Sequence, residues 1–510
     1  MTGKLDPTVV ADIARRFMRE FEIPGLALSI VTPEAGAIVQ GHGLRMLGEP
    51  CPVDGDTVFA IASNTKAFLC ASLALLVDEG RLGWNDAVVR HLPEFRMADP
   101  AVTAMMTVRD LLVHRSGLPR GAGDLMQFPR TDHTMAEVLQ ALRHFPSSGF
   151  RDGYAYDNGL YLVAGVLLER VSGLGWDDFV ETRIFVPLGM ADAVGSPARV
   201  HSPNLAARHM RLGPPSLGMG RLEVVPTNES ALIGPAGGIN VSARGIVPWL
   251  RAQLARGAMA GGGRLWSEQR AEEMWTPHTI VSSGPGPTSD QPQRSVMQGY
   301  ALGWAVSDYR GRRMLTHGGG LAGQSSRTTL LPEEGIAFTL MSNSGDGESV
   351  SGLRYALLDL LLGVSGLDWL ARTRAAVDAA EDQVRALLQG VDFKAPEGGP
   401  TLPLDRYTGR YRDPWYGDLL VTRRGSELAV NFTRTPLFRC VLEPFGLDAF
   451  RTRFPRGAGE DAVLNFRVRA DTVTRISLRA LSPIADLSFD FHDLAFSRVR
   501  DAAAAADPAP

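Results

Sequence analysis

Ser63 and Lys66 stand three residues apart where an apolar run, Phe59-Ala60-Ile61-Ala62, passes into a helix-compatible segment carrying Leu69, Leu73, Leu75 and Leu76. At that spacing two side chains share a helix face. An amine then lies beside a hydroxyl, close to a helix N-terminus. Backbone N–H groups at a helix start favour a developing oxyanion. A serine next to an amine is one way to make a nucleophile. The same residues also suit a helix capped by Ser63 with Lys66 in solvent. The chemistry therefore needs partners elsewhere in the chain.

Two other stretches carry suitable groups. Tyr156-Asp157-Asn158 precedes an apolar helix expected over residues 161–171. In an extended segment Tyr156 and Asn158 point the same way. A phenol can pass a proton, and an amide can bond a carbonyl or hold a lysine. The plainer reading is a packed tyrosine and an N-cap asparagine. His317-Gly318-Gly319-Gly320 follows a strand ending near Thr316. Glycines beside a strand let a ligand approach the backbone. An N–H there would complete an oxyanion hole with the N–H of Ser63. The plainer reading is a glycine-rich turn with a surface histidine.

The elements that must position these groups follow from the rest of the chain. Its 510 residues leave room for several units of roughly 100–200 residues each. Hydrophobic residues make up 45% and charged residues 21%, which is ordinary for a globular protein. The net charge of −4 gives no reason to expect nucleic acid or an anionic membrane as a partner. Cys51, Cys70 and Cys440 lie far apart, so neither a disulfide framework nor a cysteine metal site is legible. An HExxH motif is absent, and neither metal nor cofactor is expected. The N-terminus lacks a secretory apolar region, and no stretch is apolar enough to span a membrane, so a cytoplasmic location is expected.

Residues 8–18 suit an N-terminal helix. Residues 25–31 and 37–39 suit a hairpin turning at 33–36. Thr107 to His114 suits a short helix stopped by Ser116-Gly117-Leu118-Pro119. Residues 120–135 are polar and turn-rich. Residues 281–298, rich in Ser, Gly, Pro and Gln, suit a flexible surface loop. Four strands are expected between 302 and 342, then helices over 350–388. A sheet begun by an N-terminal hairpin and finished hundreds of residues later encloses a helical insert. Beyond the Pro- and Gly-rich 395–400, short strands follow at regular spacing, Leu487-Ser488-Phe489-Asp490-Phe491 among them. They suggest an antiparallel sandwich or barrel of roughly 100 residues.

Taken in order, Ser63-x-x-Lys66, Tyr156-x-Asn158 and His317-Gly318-Gly319 resemble the serine β-lactamase and penicillin-binding protein superfamily. The resemblance is to its class C-related branch of D-aminopeptidases, family VIII esterases and class C β-lactamases. Residues 107–118, 184–190, Ala236-Gly237-Gly238-Ile239 and Tyr300-Ala301-Leu302-Gly303-Trp304 are similar to stretches that recur there. The likeness covers about residues 8–360. Leu404-Asp405-Arg406-Tyr407-Thr408-Gly409-Arg410-Tyr411 resembles the start of a lipocalin-like barrel appended to some members.

The resemblance implies an α/β fold with a β-lactamase-like antiparallel sheet flanked by helices. It implies a helical subdomain at about 80–235 and a helix-rich end at 350–394 within a 1–394 domain. A linker at 395–402, an all-β antiparallel barrel at 403–500 and a disordered tail at 501–510 complete the expectation. Ser63 would be the nucleophile, and Lys66 and Tyr156 the acid and base. Asn158 would hold Lys66 and the substrate amide. His317 and Gly319 would meet the substrate, and the N–H groups of Ser63 and Gly320 would form the oxyanion hole. The implied partner is a small molecule or short peptide, cleaved at an amide through an acyl-enzyme. A carboxylesterase is the alternative, with a β-lactamase or an acylating binding protein behind it. In this branch the barrel reaches over the cleft or supports oligomers, so a homo-oligomer is among the expected arrangements. Where class C β-lactamases have Lys-Thr-Gly, this chain has His317-Gly318-Gly319. A histidine carries at best a partial charge at neutral pH, so efficient β-lactam hydrolysis is not expected.

Overall fold

The computed structural model describes residues 5–214, 216–389 and 398–499. The expected tail at 501–510 and residues 395–397 of the expected linker lie outside them. The chain opens with helix α1 (Pro7–Glu20), whose N-terminus is capped by Asp6. A hairpin follows, β1 (Gly25–Thr32) and β2 (Gly36–Gly43). The sheet resumes with β3 (Thr279–Ser283), β4 (Met297–Tyr300), β5 (Ala305–Tyr309), β6 (Arg312–Leu321), β7 (Gln324–Leu331) and β8 (Ile336–Ser342). The order is β2-β1-β8-β7-β6-β5-β4-β3, with every pair antiparallel.

β1 is buried along its whole length because helices cover both faces of the sheet. Alternation divides its side chains between two cores. Leu26, Leu28 and Ile30 pack with α1 and the C-terminal helices. Ala27 and Val31 join the core containing α2 (Thr65–Asp78). α2 is apolar almost all round and buried from Thr65 to Leu76, as befits a helix enclosed by others. Phe68 of α2 stacks on Trp249 with ring centroids 3.7 Å apart. α3 (Gly159–Ser172) packs beside it, and α4 (Gly347–Leu361) and α5 (Trp369–Gln389) finish the other face.

Eight consecutive strands between Gly409 and Arg498 form a closed antiparallel barrel. The first strand pairs with the last, Tyr411 opposite Arg498. Closure removes the free edges that an open sheet of short strands would expose. Aromatic rings fill the interior; Phe438 stacks on Phe454 at 4.4 Å. The barrel docks on the segment after Gly121. Asp132 N–H donates to the Arg434 carbonyl at 2.8 Å, His133 Nε2 bonds the Tyr416 carbonyl at 2.8 Å, Arg434 pairs with Glu137, and Phe145 meets Trp415 with centroids 4.8 Å apart.

Three local expectations need correction. Thr107 to His114 forms consecutive turns rather than a helix. The Asp110 carboxylate draws the chain into itself, accepting from Thr107 N–H and Oγ1 and pairing with Arg115 and Arg151. The 281–298 stretch is strand at both ends, and only its middle is a loop. Residues 487–491 do not form a strand, because Ser488 and Asp490 spend their polar groups on residues 123 and 124. Among the described residues no helix is long and apolar enough to cross a membrane.

Candidate active site

A tight turn delivers Ser63. The strand Val58–Ala60 pairs with Asn240–Ser242 and leads into a 3₁₀ turn, Ala62–Asn64, that runs into α2. Ala62 sits at φ 47°, a region non-glycine residues rarely occupy and one that costs of order 1–3 kcal/mol. Hydrogen bonds hold the turn in this shape. Asn64 Nδ2 donates to Ile61 O at 3.1 Å and Ser326 Oγ at 2.8 Å. Ser326 Oγ itself donates to Ile61 O at 2.8 Å. The turn carrying Ser63 is thus anchored to β7, and Ser63 remains partly exposed.

Lys66, one helical turn later, is fully buried. Its ammonium reaches Ser63 Oγ at 3.2 Å, Asn158 Oδ1 at 2.8 Å and Ala236 O at 2.8 Å. It also lies 5.0 Å from the centre of the Tyr156 ring. Burial pulls its pKa down to about 7, against the opposing pull of Asp124 and Asp157. An amine that gives up its proton near neutral pH, within hydrogen-bond reach of a hydroxyl, can take the proton of that hydroxyl.

Tyr156 and Asn158 arrive on the segment entering α3. Asp157 between them is buried, and its Oδ1 accepts from Leu160 N–H at 2.9 Å. Asp157 therefore supplies the helix-start bond, and Asn158 is free to turn inward. Burial raises the Tyr156 phenol well above its ordinary value, opposed by a hydrogen bond with Ser63.

Sequence reasoning missed the other side of Asn158. Its Nδ2 donates to both carboxylate oxygens of Asp124 at 3.1 Å. Burial raises Asp124 to about 7, while bonds from Ser488 and Asn158 lower it. Ser488 Oγ, from the barrel, donates to Asp124 Oδ2 at 2.8 Å. Asp490 Oδ2 accepts from Gly123 N–H at 2.8 Å. The polar character of residues 120–135 was visible in the sequence, but nothing there marked Asp124 apart from its neighbours.

The glycine run contributes backbone. β5 pairs with β6 only as far as Thr316, so the edge from His317 to Leu321 is left without that strand. A Cβ on Gly319 would lie 2.3 Å from Ile61 O, which only glycine avoids; one on Gly320 would meet nothing within 4 Å. His317 is buried, with Nε2 at 2.9 Å from the Tyr300 hydroxyl and Nδ1 at 2.6 Å from Gly318 O. Burial, then the nearby Lys66, pushes its pKa down to about 3, so it is neutral at pH 7. It lines a separate cavity of about 280 Å³, together with Val281, Gln293 and Gln298 of the 281–298 stretch.

The cleft at Ser63, called the main cleft for its place at the site, has a volume of about 510 Å³. Ser63, Tyr156, Asn158 and Gly320 open onto it, and its apolar walls include Phe128, Leu212 and Leu321. Residues 457–459 and 486–489 of the barrel close one side. Among the described residues no group of three or more His, Cys, Asp or Glu could hold a metal ion.

Comparison with known proteins gives the site a setting. A family model described as Beta-lactamase matches residues 10–362, and a domain of unknown function, DUF3471, matches residues 394–498. Unguisins hydrolase from Aspergillus campestris (strain IBT 28561) is 27% identical over 437 residues, covering 81% of this chain and 77% of its own. The structure of D-amino acid amidase from Ochrobactrum anthropi SV3 superposes with a TM-score of 0.55 at 25% identity, covering 69% of this chain and 98% of its own. An octameric penicillin-binding protein homologue from Pyrococcus abyssi shares the fold across both units. Its TM-score is 0.60 at 19% identity, and the match covers 96% of this chain and 99% of that one.

Proposed function

This chain belongs to the β-lactamase family, and we propose that it is a serine hydrolase cleaving amide bonds of small or peptide substrates through an acyl-enzyme on Ser63. The observation that carries the proposal is the contact of Ser63 with a buried lysine of pKa about 7, at the floor of an open cleft. Lys66 in its neutral form takes the Ser63 proton as Oγ attacks the carbonyl carbon. The oxyanion of the tetrahedral intermediate is met by the N–H groups of Ser63 and Gly320. Tyr156 passes the proton to the departing amine, the C–N bond breaks, and the acyl group stays on Ser63 Oγ. Water then adds to the ester carbonyl, Ser63 Oγ leaves and regains a proton, and the carboxylic acid is released.

Asn158 holds Lys66 in line and is available to the substrate amide. His317, neutral and bonded to Tyr300, faces the neighbouring cavity and offers no cation to a substrate carboxylate. Amides are favoured over esters because unguisins hydrolase and a D-amino acid amidase are among the relatives. A side-by-side assay tests this. The full chain is expected to turn over D- or L-aminoacyl p-nitroanilides as well as p-nitrophenyl esters. Rapid ester turnover with no anilide turnover would make it a carboxylesterase. A penicillin-derived acyl group that stays on Ser63 for hours, with neither ester nor anilide turned over, would make it an acylating binding protein.

A further inference from the structure

The barrel meets the hydrolase core at a point two hydrogen bonds away from Lys66. Ser488 Oγ donates to Asp124 Oδ2 at 2.8 Å, Asp124 accepts from Asn158 Nδ2 at 3.1 Å, and Asn158 Oδ1 accepts from Lys66 at 2.8 Å. Directly bonded partners in this path are separated by up to 364 positions in sequence. Asp124 is buried, and Gln127 Nε2 adds a longer contact at 3.4 Å. Beside it, Gly123 N–H is tied to Asp490, another buried carboxyl group of the barrel. Among the described residues the second oxygen of Asp490 is buried with no partner.

The direction of each bond follows from the chemistry of the groups. A carboxylate only accepts, and an ammonium only donates. An amide between them must turn its NH₂ to the carboxylate and its oxygen to the lysine. A protonated Asp124 would remove that requirement, because a carboxylic acid also donates. Asn158 could then rotate and present its NH₂ to Lys66, where two donors would face each other. Two adjacent buried carboxyl groups do not both ionise readily. Asp490 is pushed far above the ordinary carboxyl range by burial, with Asp124 adding to the shift. A charge on Asp490 is thus disfavoured beside Asp124, which favours placing the negative charge on Asp124.

We propose that the barrel segment carrying Ser488 is a built-in part of the catalytic machinery, with Ser488 and Asp124 as positioning residues. Ser488 stabilises ionised Asp124, ionised Asp124 fixes the orientation of Asn158, and Asn158 fixes Lys66 against Ser63. The competent state is then the one in which Lys66 is neutral and Asp124 is ionised. The two groups titrate as a coupled pair. The proposal rests on Ser63 and Lys66 acting as described above.

The test is the acid limb of the pH profile in the full chain. It is read both from kcat/KM for an ester or anilide and from the rate at which a fluorophosphonate labels Ser63. Ser488→Ala removes a donor from ionised Asp124, so the limb should move up by about one pH unit. At pH 7 kcat should fall about tenfold, with recovery near pH 9 and KM within about twofold. Ser488→Thr, which restores the hydroxyl, should restore the profile. Asp124→Asn removes the anion that favours the Lys66 ammonium, so its limb should move the other way, to lower pH. A Ser488→Ala loss that is the same at every pH, or a raised KM with an unmoved limb, would reduce Ser488 to a cleft wall and overturn the proposal. Should Ser488→Ala fail to fold, an Asp124→Asn limb that stays in place or rises overturns it alone. Wild-type protein that is neither labelled nor active would instead count against the reading of Ser63.

Discussion

Ser63→Ala is expected to lower hydrolysis by a factor on the order of 10⁴ or more and to abolish fluorophosphonate labelling, with folding intact. In the proposed mechanism every covalent step runs through Ser63 Oγ, and among the described residues no other hydroxyl is held against Lys66 Nζ within hydrogen-bond distance. The structural cost is small. Ser63 is partly exposed, so water can take the place of the hydroxyl. Lys66 keeps Asn158 and the Ala236 carbonyl. The lost bond contributes roughly 1 kcal/mol to stability, so the unfolding midpoint should shift by only a few degrees. The measurements are turnover, intact mass after labelling, and thermal unfolding on the same preparation. Undiminished turnover in this variant would remove the acyl-enzyme reading.

Lys66→Met should combine a large loss of activity with a change in the pH dependence of stability. The proposed base disappears, so turnover should fall by roughly 10³-fold or more. For stability, Lys66 binds its proton at about 7 in the folded chain and at about 10.4 when unfolded. Below pH 7 both states are protonated, and the folded state bears the full cost of a buried ammonium. Between pH 7 and about 10.4 the folded lysine is neutral while the unfolded one is charged. The cost falls steadily across that window and is gone above it. The full span is roughly 5 kcal/mol, reduced by coupling to Asp124.

Methionine has no proton to bind, so it removes this dependence. It also leaves Asn158 Oδ1 and Ala236 O without their donor, at roughly 1–3 kcal/mol each. That penalty does not vary with pH. The unfolding midpoint of Lys66→Met relative to wild type should therefore be highest near pH 6 and fall as the pH approaches 10. A difference that rises with pH, or stays flat, would mean that Lys66 is not held near neutral pH by burial.

The local arithmetic of the chain carried much of this. Ser63 and Lys66 belong to one short segment, so their spacing alone brings them to one side of a helix start. Tyr156 and Asn158 flank a single residue, and Asp157 between them takes the helix-start bond expected of Asn158. Periodicity of two marks the strands, and cover on both faces explains why β1 is buried along its whole length. The resemblance in motif order placed His317 and its glycines with the same site. Their residue types also foretold a position without a permanent cation.

Other features were decided by contacts across long separations. His317 is neutral because burial and Lys66 drive its proton off, and it lines the smaller cavity rather than the main cleft. The segment at 487–491 has strand-like alternation, yet its polar residues satisfy buried groups in the hydrolase core instead of a ladder. Asp110 likewise overrides a helix-like sequence with its own hydrogen bonds. A sequence states which groups can donate, accept or ionise, and short-range geometry states which neighbours share a face. The sequence by itself thus determined that a hydroxyl and an amine would meet at Ser63 and Lys66. Only the tertiary structure decided that the amine would be stripped of water, oriented by Asn158 and Asp124, and joined to a barrel hundreds of residues away. Burial and hydrogen-bond direction are properties of the assembled fold, not of any one segment.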